Sequence, residues 1–213
     1  MKNILLLGAT GSIGDSVLNV IRQNDSTLNL FGIAVGKNIK KTDGIIKEFL
    51  PKYVFVDDVI AYDDISSSNP DKNILNSDQE LLNLISDDKV DIVISAIVGF
   101  AGLKASLMAV NAGKTVLIAN KESIVAAGDI LMPLARSKGS IIIPIDSEHN
   151  AIFQCLPEDK TTKDVDKITI TASGGPFRKL PLKSFNNISV KQALSHPKWK
   201  MGKKISIDSA SLM

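Results

Sequence analysis

The feature that most constrains this chain is its first turn, in which Gly8, Gly11 and Gly14 follow the apolar run Ile4–Leu7. The run predicts a buried strand because every position in it is apolar. Beyond the turn, apolar residues recur with a helical period, at Ile13, Val17, Leu18 and Ile21. Strand, glycine turn and helix form the first half of a βαβ unit, so the chain is predicted to begin a parallel sheet.

The alternation of apolar strands with amphipathic helices then continues as far as Ile145. The polar stretch Asp57–Ser77 interrupts it and is expected to be a surface excursion with little structure of its own. Every predicted crossover is helical, which indicates an α/β fold with a doubly wound parallel sheet over residues 1–145. Further strands are predicted at residues 28–35, 53–56, 90–97, 115–119 and 141–145.

The pattern changes after this series, and residues 146–213 are predicted to begin a second domain of α+β character. The β-branched residues of 168–172 predict a strand. Ser189 and Gln192 have the spacing of a capping box that opens a helix. The chain stops at Met213 without a natural end to this domain, so we expect the domain to be incomplete at its C-terminus.

The glycine turn is a variant of the dinucleotide fingerprint. One glycine permits the tight turn, one lets backbone N–H groups approach a pyrophosphate, and one lets helix pack on strand. The next predicted strand ends in Gly36, Lys37 and Asn38, where NAD-selective sites have Asp or Glu to bond the ribose 2′-hydroxyl. A cation and an amide suit a 2′-phosphate, which favours NADPH. The alternatives are a purely structural glycine turn and a solvated loop lysine at position 37.

A second candidate site is the run Asp146-Ser147-Glu148. If extended geometry continues past Pro144, both carboxylates point to the same face at the carboxyl end of a parallel strand. Open α/β sheets bind their ligands at that edge, and two carboxylates suit a hard divalent cation, Mg²⁺ or Mn²⁺. The alternative is an ordinary helix start, with Asp146 or Ser147 as N-cap and Glu148 in the first turn.

Three other polar stretches could bind ligands. Asn120–Ser123 brings an amide, a lysine and a carboxylate to the end of a predicted strand, although Asn120 could instead cap a helix. Ser173–Gly175 could form an anion-binding backbone nest or an ordinary turn. His196–Gly202 contains the one tryptophan of the chain in a polar loop, which indicates a lid or binding segment.

Composition argues against several other classes of protein. The 25 basic and 23 acidic residues nearly cancel and aromatic residues make up 5%, so we expect no nucleic-acid partner. No apolar segment is long enough to span a membrane, and the first one is too short for a signal peptide. The single cysteine, Cys155, cannot form an intramolecular disulfide, and we expect it in the core. These features predict a cytoplasmic protein without a membrane partner.

The chain resembles the 1-deoxy-D-xylulose 5-phosphate reductoisomerase family of the non-mevalonate isoprenoid pathway. The resemblance extends from the first strand to the last residues, and its runs DSEHNAIFQ and SGGPFR are long and specific. It implies a homodimeric enzyme that uses NADPH and a divalent cation, Mn²⁺, Mg²⁺ or Co²⁺, to convert 1-deoxy-D-xylulose 5-phosphate into 2-C-methyl-D-erythritol 4-phosphate. The matching runs are Gly8–Gly14, Gly36–Asn38, Ala119–Ser123, Asp146–Gln154, Ser173–Arg178 and His196–Ala210.

The resemblance also implies roles for individual residues. Asp146 and Glu148 would be two of three carboxylates on the metal, and with Lys121 and His196 they would form the catalytic set. Trp199 would belong to a closing flap, together with Met201. The substrate would contact Lys121, Ser147, Glu148, Ser173, His196 and Ser209. NADPH would contact Gly8, Thr10, Gly11, Ser12, Ile13, Gly14, Gly36, Lys37, Asn38, Asn120, Glu122 and Gly202.

The chain departs from the family pattern at its end. In the family an Asn-Lys-Gly-Leu-Glu run follows, whose Asn and Lys bind substrate and whose Glu completes the metal site. Because this chain stops at Met213, we expect it to bind NADPH but to have little or no activity. One rival is a non-catalytic NADP-binding or sensing module. Another is a metal-free NADP-dependent dehydrogenase, whose turnover would survive EDTA.

Overall fold

The computed structural model describes residues 1–119, 121–157, 161–171, 174–198 and 206–207. The chain divides into two compact units, Met1–Cys155 and Leu156–Met213. The first unit includes the helix that starts at Ser147, whereas the sequence prediction began the second domain just before that helix.

The first unit is built on a seven-stranded sheet with the strand order β4-β3-β2-β1-β5-β6-β7. All neighbouring strands are parallel. The predicted doubly wound parallel sheet is therefore confirmed. Its strands are β1 (Lys2–Leu7), β2 (Leu28–Val35), β3 (Tyr53–Val56), β4 (Asn73–Leu75), β5 (Ile92–Ser95), β6 (Thr115–Ile118) and β7 (Ile141–Pro144).

Helices cover both faces of this sheet. Alternate side chains of β1 enter opposite cores: Ile4 and Leu6 pack with the helices within residues 12–68, and Leu5 and Leu7 pack with those within residues 78–138. Burial of each such side chain stabilises the fold by about 1.5–3 kcal/mol, which explains the continuous apolarity of the strand. The helices are α1 (Ser12–Gln23), α2 (Ile39–Phe49), α3 (Val59–Ser68), α4 (Asp78–Ser86), α5 (Gly102–Asn111), α6 (Lys121–Lys138) and α7 (Ser147–Cys155).

The prediction of little structure in Asp57–Ser77 is wrong, because α3 and the edge strand β4 lie there. Asp58 caps α3: its carboxylate accepts a hydrogen bond of 3.0 Å from the backbone N–H of Ala61. Ala61 and Ile65, one turn apart, are both buried. These two contacts with the core hold a helix whose last residues are serines.

The second unit has little regular structure in its described part. It contains a 3₁₀ helix, Leu182–Asn187, and the short helix α8, Val190–Ala193. The predicted capping box is confirmed, since Ser189 and Gln192 bond each other reciprocally at the start of α8. The predicted strand is wrong for residues 168–171, which are irregular and exposed, while Ala172 lies outside the described residues. β-Branched residues form a strand only where a neighbouring strand pairs with them.

Two expectations about the environment of the chain can be compared with the structure. Cys155 is exposed at the end of α7, so its predicted place in the core is wrong. Across the described ranges, no helix has both the length and the apolarity required to cross a membrane.

Candidate functional site

The candidate site lies at the carboxyl edge of the sheet, where the order of the strands reverses. From β1 the chain builds β2, β3 and β4 on one side and then returns to build β5, β6 and β7 on the other. β1 and β5 are therefore direct neighbours, with Leu7 opposite Ser95. Doubly wound sheets bind ligands in the crevice above such a switch point. Gly8 follows β1 at this edge, and Asp146 follows β7.

The glycine turn is closely packed at two of its three glycines. Gly8 has a φ of +86°, and a Cβ there would lie 2.7 Å from the carbonyl oxygen of Ala96, beyond the end of β5. A Cβ on Gly14 would lie 2.3 Å from the carbonyl oxygen of Ala9. Gly8 thus permits the tight turn against β5, and Gly14 permits close packing of α1 on the turn.

Gly11 leaves the start of α1 accessible. It is the N-cap of the helix, it makes no side-chain cap, and a Cβ there would meet nothing closer than 3.4 Å. The first N–H groups of a helix have no partner within the helix, and the helix dipole gives this end a partial positive charge. Thr10, Ser12 and Ile13 surround this uncapped end, and the arrangement fits the pyrophosphate of a dinucleotide.

Lys41 is a residue of this region that sequence analysis missed. Its ammonium donates a hydrogen bond of 2.9 Å to the carbonyl oxygen of Thr10 and lies 2.7 Å from the carboxylate of Asp15. Thr10 is separated from Lys41 by 31 positions in the chain, so no local pattern reveals the contact. The one signal in the sequence for a role of Lys41 was its place in the first turn of α2, soon after Lys37.

The end of β2 presents Gly36, Lys37 and Asn38 at the same edge of the sheet. Asn38 caps α2, since its side chain accepts a hydrogen bond of 3.2 Å from the backbone N–H of Lys41. The Lys37 side chain is 85% exposed, and its ammonium lies 3.6 Å from the carboxylate of Asp58. Asp58 is a second residue that sequence analysis missed. The end of β2 has no carboxylate of its own, and Asp58 brings one there from the start of α3. An exposed ion pair of this length is weak and leaves Lys37 accessible to a phosphate.

The acidic run begins a helix. α7 starts at Ser147, so the expected extended geometry past Pro144 is wrong and Glu148 lies in the first helical turn. One carboxylate oxygen of Asp146 accepts a hydrogen bond of 3.3 Å from the backbone N–H of His149 and lies 2.7 Å from its ring Nδ1. The helix-start alternative, with Asp146 as N-cap, therefore describes the local geometry.

This geometry still leaves two carboxylates at one helix start. Glu148 is exposed and Asp146 is partly buried. Within the part of the chain that the structure describes, no group of three His, Cys, Asp or Glu side chains could hold a metal ion. Two hard oxygen donors nevertheless fit Mg²⁺, which proteins often bind through one or two carboxylates plus water and substrate oxygens.

The remaining candidates are spread over both units. Lys121 and Glu122 lie in the first turn of α6 and are partly buried. Ser147 is exposed at the start of α7. His196 belongs to the second unit, where its ring Nδ1 accepts a hydrogen bond of 3.2 Å from the backbone N–H of Lys198. Asn120, Ser173, Trp199, Met201, Gly202 and Ser209 lie outside the described residues, and their roles stay predictions.

Comparison with known proteins identifies the family. Residues 4–128 match the family model described as 1-deoxy-D-xylulose 5-phosphate reductoisomerase, and residues 142–213 match that of its C-terminal domain. The chain belongs to the 1-deoxy-D-xylulose 5-phosphate reductoisomerase family. The family predicted from the six sequence runs is therefore confirmed.

Curated members of the family are similar over the whole of this chain. The reductoisomerase of Actinobacillus pleuropneumoniae serotype 5b is 44% identical over 226 residues, which cover 57% of that protein. The reductoisomerase of Clostridium tetani is 45% identical over 217 residues and is covered to 56%. The chain thus spans about half the length of the curated relatives that it matches.

Solved structures of the family agree with the fold. A DOX-P reductoisomerase in complex with NADPH, fosmidomycin and magnesium is 41% identical, with a TM-score of 0.92, over 100% of this chain and 55% of that protein. The enzyme from Zymomonas mobilis in complex with NADPH is 37% identical, with a TM-score of 0.86, over 99% of this chain and 54% of that protein.

Proposed function

We propose that this chain carries the NADPH-binding part, and some of the metal and substrate ligands, of an enzyme that converts 1-deoxy-D-xylulose 5-phosphate into 2-C-methyl-D-erythritol 4-phosphate. The observation that carries the proposal is the match of the whole chain, at 41% identity, to a reductoisomerase solved with NADPH, fosmidomycin and magnesium. We further propose a cytoplasmic homodimer as the working form.

NADPH is proposed to lie across the switch point. The uncapped start of α1 would bind the pyrophosphate through the N–H groups near Ser12 and Ile13. Lys37 and Asn38 would meet the 2′-phosphate at the end of β2, where an accessible ammonium gives preference over NADH. Asn120, Glu122 and Gly202 are proposed to contact the rest of the cofactor. When bound, NADPH would supply the hydride, and the side chains of this chain would orient the cofactor.

A divalent cation is proposed to bind at the start of α7, held by Asp146 and Glu148. When bound, it would supply Lewis-acid stabilisation of substrate oxygens during the rearrangement of the carbon skeleton. Lys121 and Ser147, at the starts of α6 and α7, would orient the substrate from the same edge of the sheet. Ser173, His196 and Ser209 are also proposed to bind the substrate.

The test is NADPH oxidation with 1-deoxy-D-xylulose 5-phosphate and Mn²⁺. It is run on this chain and on a chimaera in which the Clostridium tetani C-terminal region continues the sequence. We expect NADPH binding by both proteins and turnover by the chimaera. EDTA should abolish that turnover, because the rearrangement needs the cation.

Other outcomes would point to the rival functions. Turnover that survives EDTA would favour a metal-free dehydrogenase. NADPH binding by a chimaera that turns over no substrate, with or without metal, would favour a non-catalytic NADP-binding module. Light scattering of the active chimaera tests the proposed dimer, and a monomeric mass would contradict it.

A further inference from the structure

The glycine turn is held from outside by one side chain of the neighbouring helix α2. The ammonium of Lys41 contacts the Thr10 carbonyl oxygen at 2.9 Å and the Asp15 carboxylate at 2.7 Å, and its side chain is only 30% exposed. Thr10 lies immediately before the N-cap Gly11, and Asp15 lies in the first turn of α1. One cation therefore bridges the two sides of the uncapped helix start.

These contacts set the orientation of the peptide unit that leads into the N–H groups proposed to face the anion. The carbonyl of Thr10 and the N–H of Gly11 belong to one planar peptide unit. Lys41 holds the carbonyl end of this unit, and the N–H end donates a hydrogen bond of 3.1 Å to the carbonyl oxygen of Gly8. With both ends bonded, the peptide plane is fixed before any ligand arrives.

The second contact is electrostatic. Asp15 places a carboxylate in the first turn of the helix whose N-terminus would receive a pyrophosphate. An uncompensated carboxylate there would repel that anion. The ammonium of Lys41 compensates this charge, so it favours anion binding without needing to touch the ligand.

We propose that Lys41 is a positioning residue for the pyrophosphate-binding turn. NADPH and NADH share the pyrophosphate that this turn would bind, so Lys41 raises the affinity for both nucleotides. This inference rests on the proposed NADPH site, in which Lys37 instead meets the 2′-phosphate. Two lysines on adjoining segments thus have separable effects on cofactor binding.

The experiment titrates the 213-residue chain with NADPH and with NADH by calorimetry. Lys41→Met should weaken both nucleotides about tenfold and leave the ratio of their affinities unchanged, because a charge-assisted hydrogen bond is lost. Lys41→Arg should restore most of the affinity, since a guanidinium can still donate to both acceptors. Lys37→Met should weaken NADPH alone.

Lys40→Met, at the exposed neighbouring position, is the matched control and should bind both nucleotides like the parent chain. Thermal unfolding without nucleotide checks that each variant folds. If Lys41→Met fails to fold, Lys41→Gln takes its place and must show the same unchanged ratio.

Two results would overturn the inference. One is unaltered binding in the Lys41 variant, and the other is a loss confined to NADPH, which would mean that Lys41 contacts the 2′-phosphate. A parent chain that binds neither nucleotide would contradict the proposed function itself.

Discussion

The first and last strands of the sheet lead into helices that begin in opposite ways. After β1, α1 starts behind the N-cap Gly11, which has no side chain to cap the helix. After β7, α7 starts behind Asp146, whose carboxylate accepts a hydrogen bond from the N–H of His149, and Glu148 adds a second negative charge in the first turn. Both turns lie at the carboxyl edge of one parallel sheet.

The difference shows how one scaffold can supply sites of opposite charge preference. A parallel strand followed by a helix always presents N–H groups and the positive end of a dipole. A glycine N-cap leaves these groups available to an anion. An aspartate N-cap bonds one of them and adds a negative charge, and its remaining carboxylate capacity is left for a cation. The residue at the N-cap therefore decides which kind of ligand the turn suits.

The largest effect is expected from an added methyl group at Gly14. Gly14→Ala would place its Cβ 2.3 Å from the Ala9 carbonyl oxygen, so helix and turn must separate. We expect a loss of about 3 kcal/mol or more in unfolding free energy, at or beyond the upper end of overpacking costs. Urea unfolding followed by circular dichroism measures it.

Gly11→Ala is the matched control in the same turn. Its Cβ would meet nothing closer than 3.4 Å, and the N-cap has an extended conformation that alanine adopts readily. The expected cost is below about 1 kcal/mol. Equal losses in the two variants would show that close packing at Gly14 does not shape the turn.

A smaller effect on stability is expected from a substitution that separates the two roles of Asp146, which are to cap α7 and to bind the proposed metal ion. Asp146→Asn keeps a good N-cap but removes one proposed metal carboxylate. We expect the stability to change by less than about 0.5 kcal/mol and Mn²⁺ affinity to fall about tenfold or more. Urea unfolding and electron paramagnetic resonance titration with Mn²⁺ measure the two quantities.

Asp146→Ala should lose the cap as well, at about 1 kcal/mol, along with the Mn²⁺ affinity. If the Asn variant binds Mn²⁺ like the parent chain, Asp146 is only a cap, and the comparison between the two turns reduces to capping alone.

The smallest effect concerns a third kind of helix start, the capping box of α4. The Ser77 hydroxyl, followed by the backbone N–H groups of Ser77 and Asn76, lowers the pKa of Glu80 from its usual 4.5. Because the pKa is lower in the folded state, this contribution is present above pH 4.5 and is lost as the pH falls through the folded value.

Glu80→Gln should therefore cost less than about 1 kcal/mol at neutral pH, since the group is exposed, and should flatten the acid end of the stability profile. Urea midpoints between about pH 3 and about pH 7 measure this. NADPH and Mn²⁺ binding should not change, because this start is structural only. Parallel pH profiles for parent and variant would contradict the assigned cause.

Much of the sheet was predictable because its signals are local. Continuous apolar runs such as Ile4–Leu7 mark strands that are buried on both faces, and helical crossovers leave few topologies for them. α3 and β4 were missed because serines dominate the end of the helix and the strand has only three residues. α3 contacts the core through Ala61 and Ile65, and β4 does so through Ile74 and Leu75, which composition alone does not reveal.

The site was predictable to a different extent at each turn. The glycine spacing marks the turn in the sequence, and Gly14 packs against the nearby carbonyl of Ala9, whereas the close contact of Gly8 is with Ala96 on a distant segment. The contacts of Lys41 with Thr10 and of Lys37 with Asp58 join separate segments of the chain and leave no local pattern. At Asp146 capping and metal binding require the same side chain, so the sequence alone supported both.

The short edge strand β4 also bears on how the protein behaves among other chains. An outer strand of a sheet exposes unpaired N–H and C=O groups that can recruit a strand from another molecule. β4 has three residues, and the opposite outer strand, β7, ends in Pro144, which has no N–H to donate. The short length of β4 therefore limits strand addition at one edge of the sheet, and Pro144 removes one hydrogen-bond donor from the other.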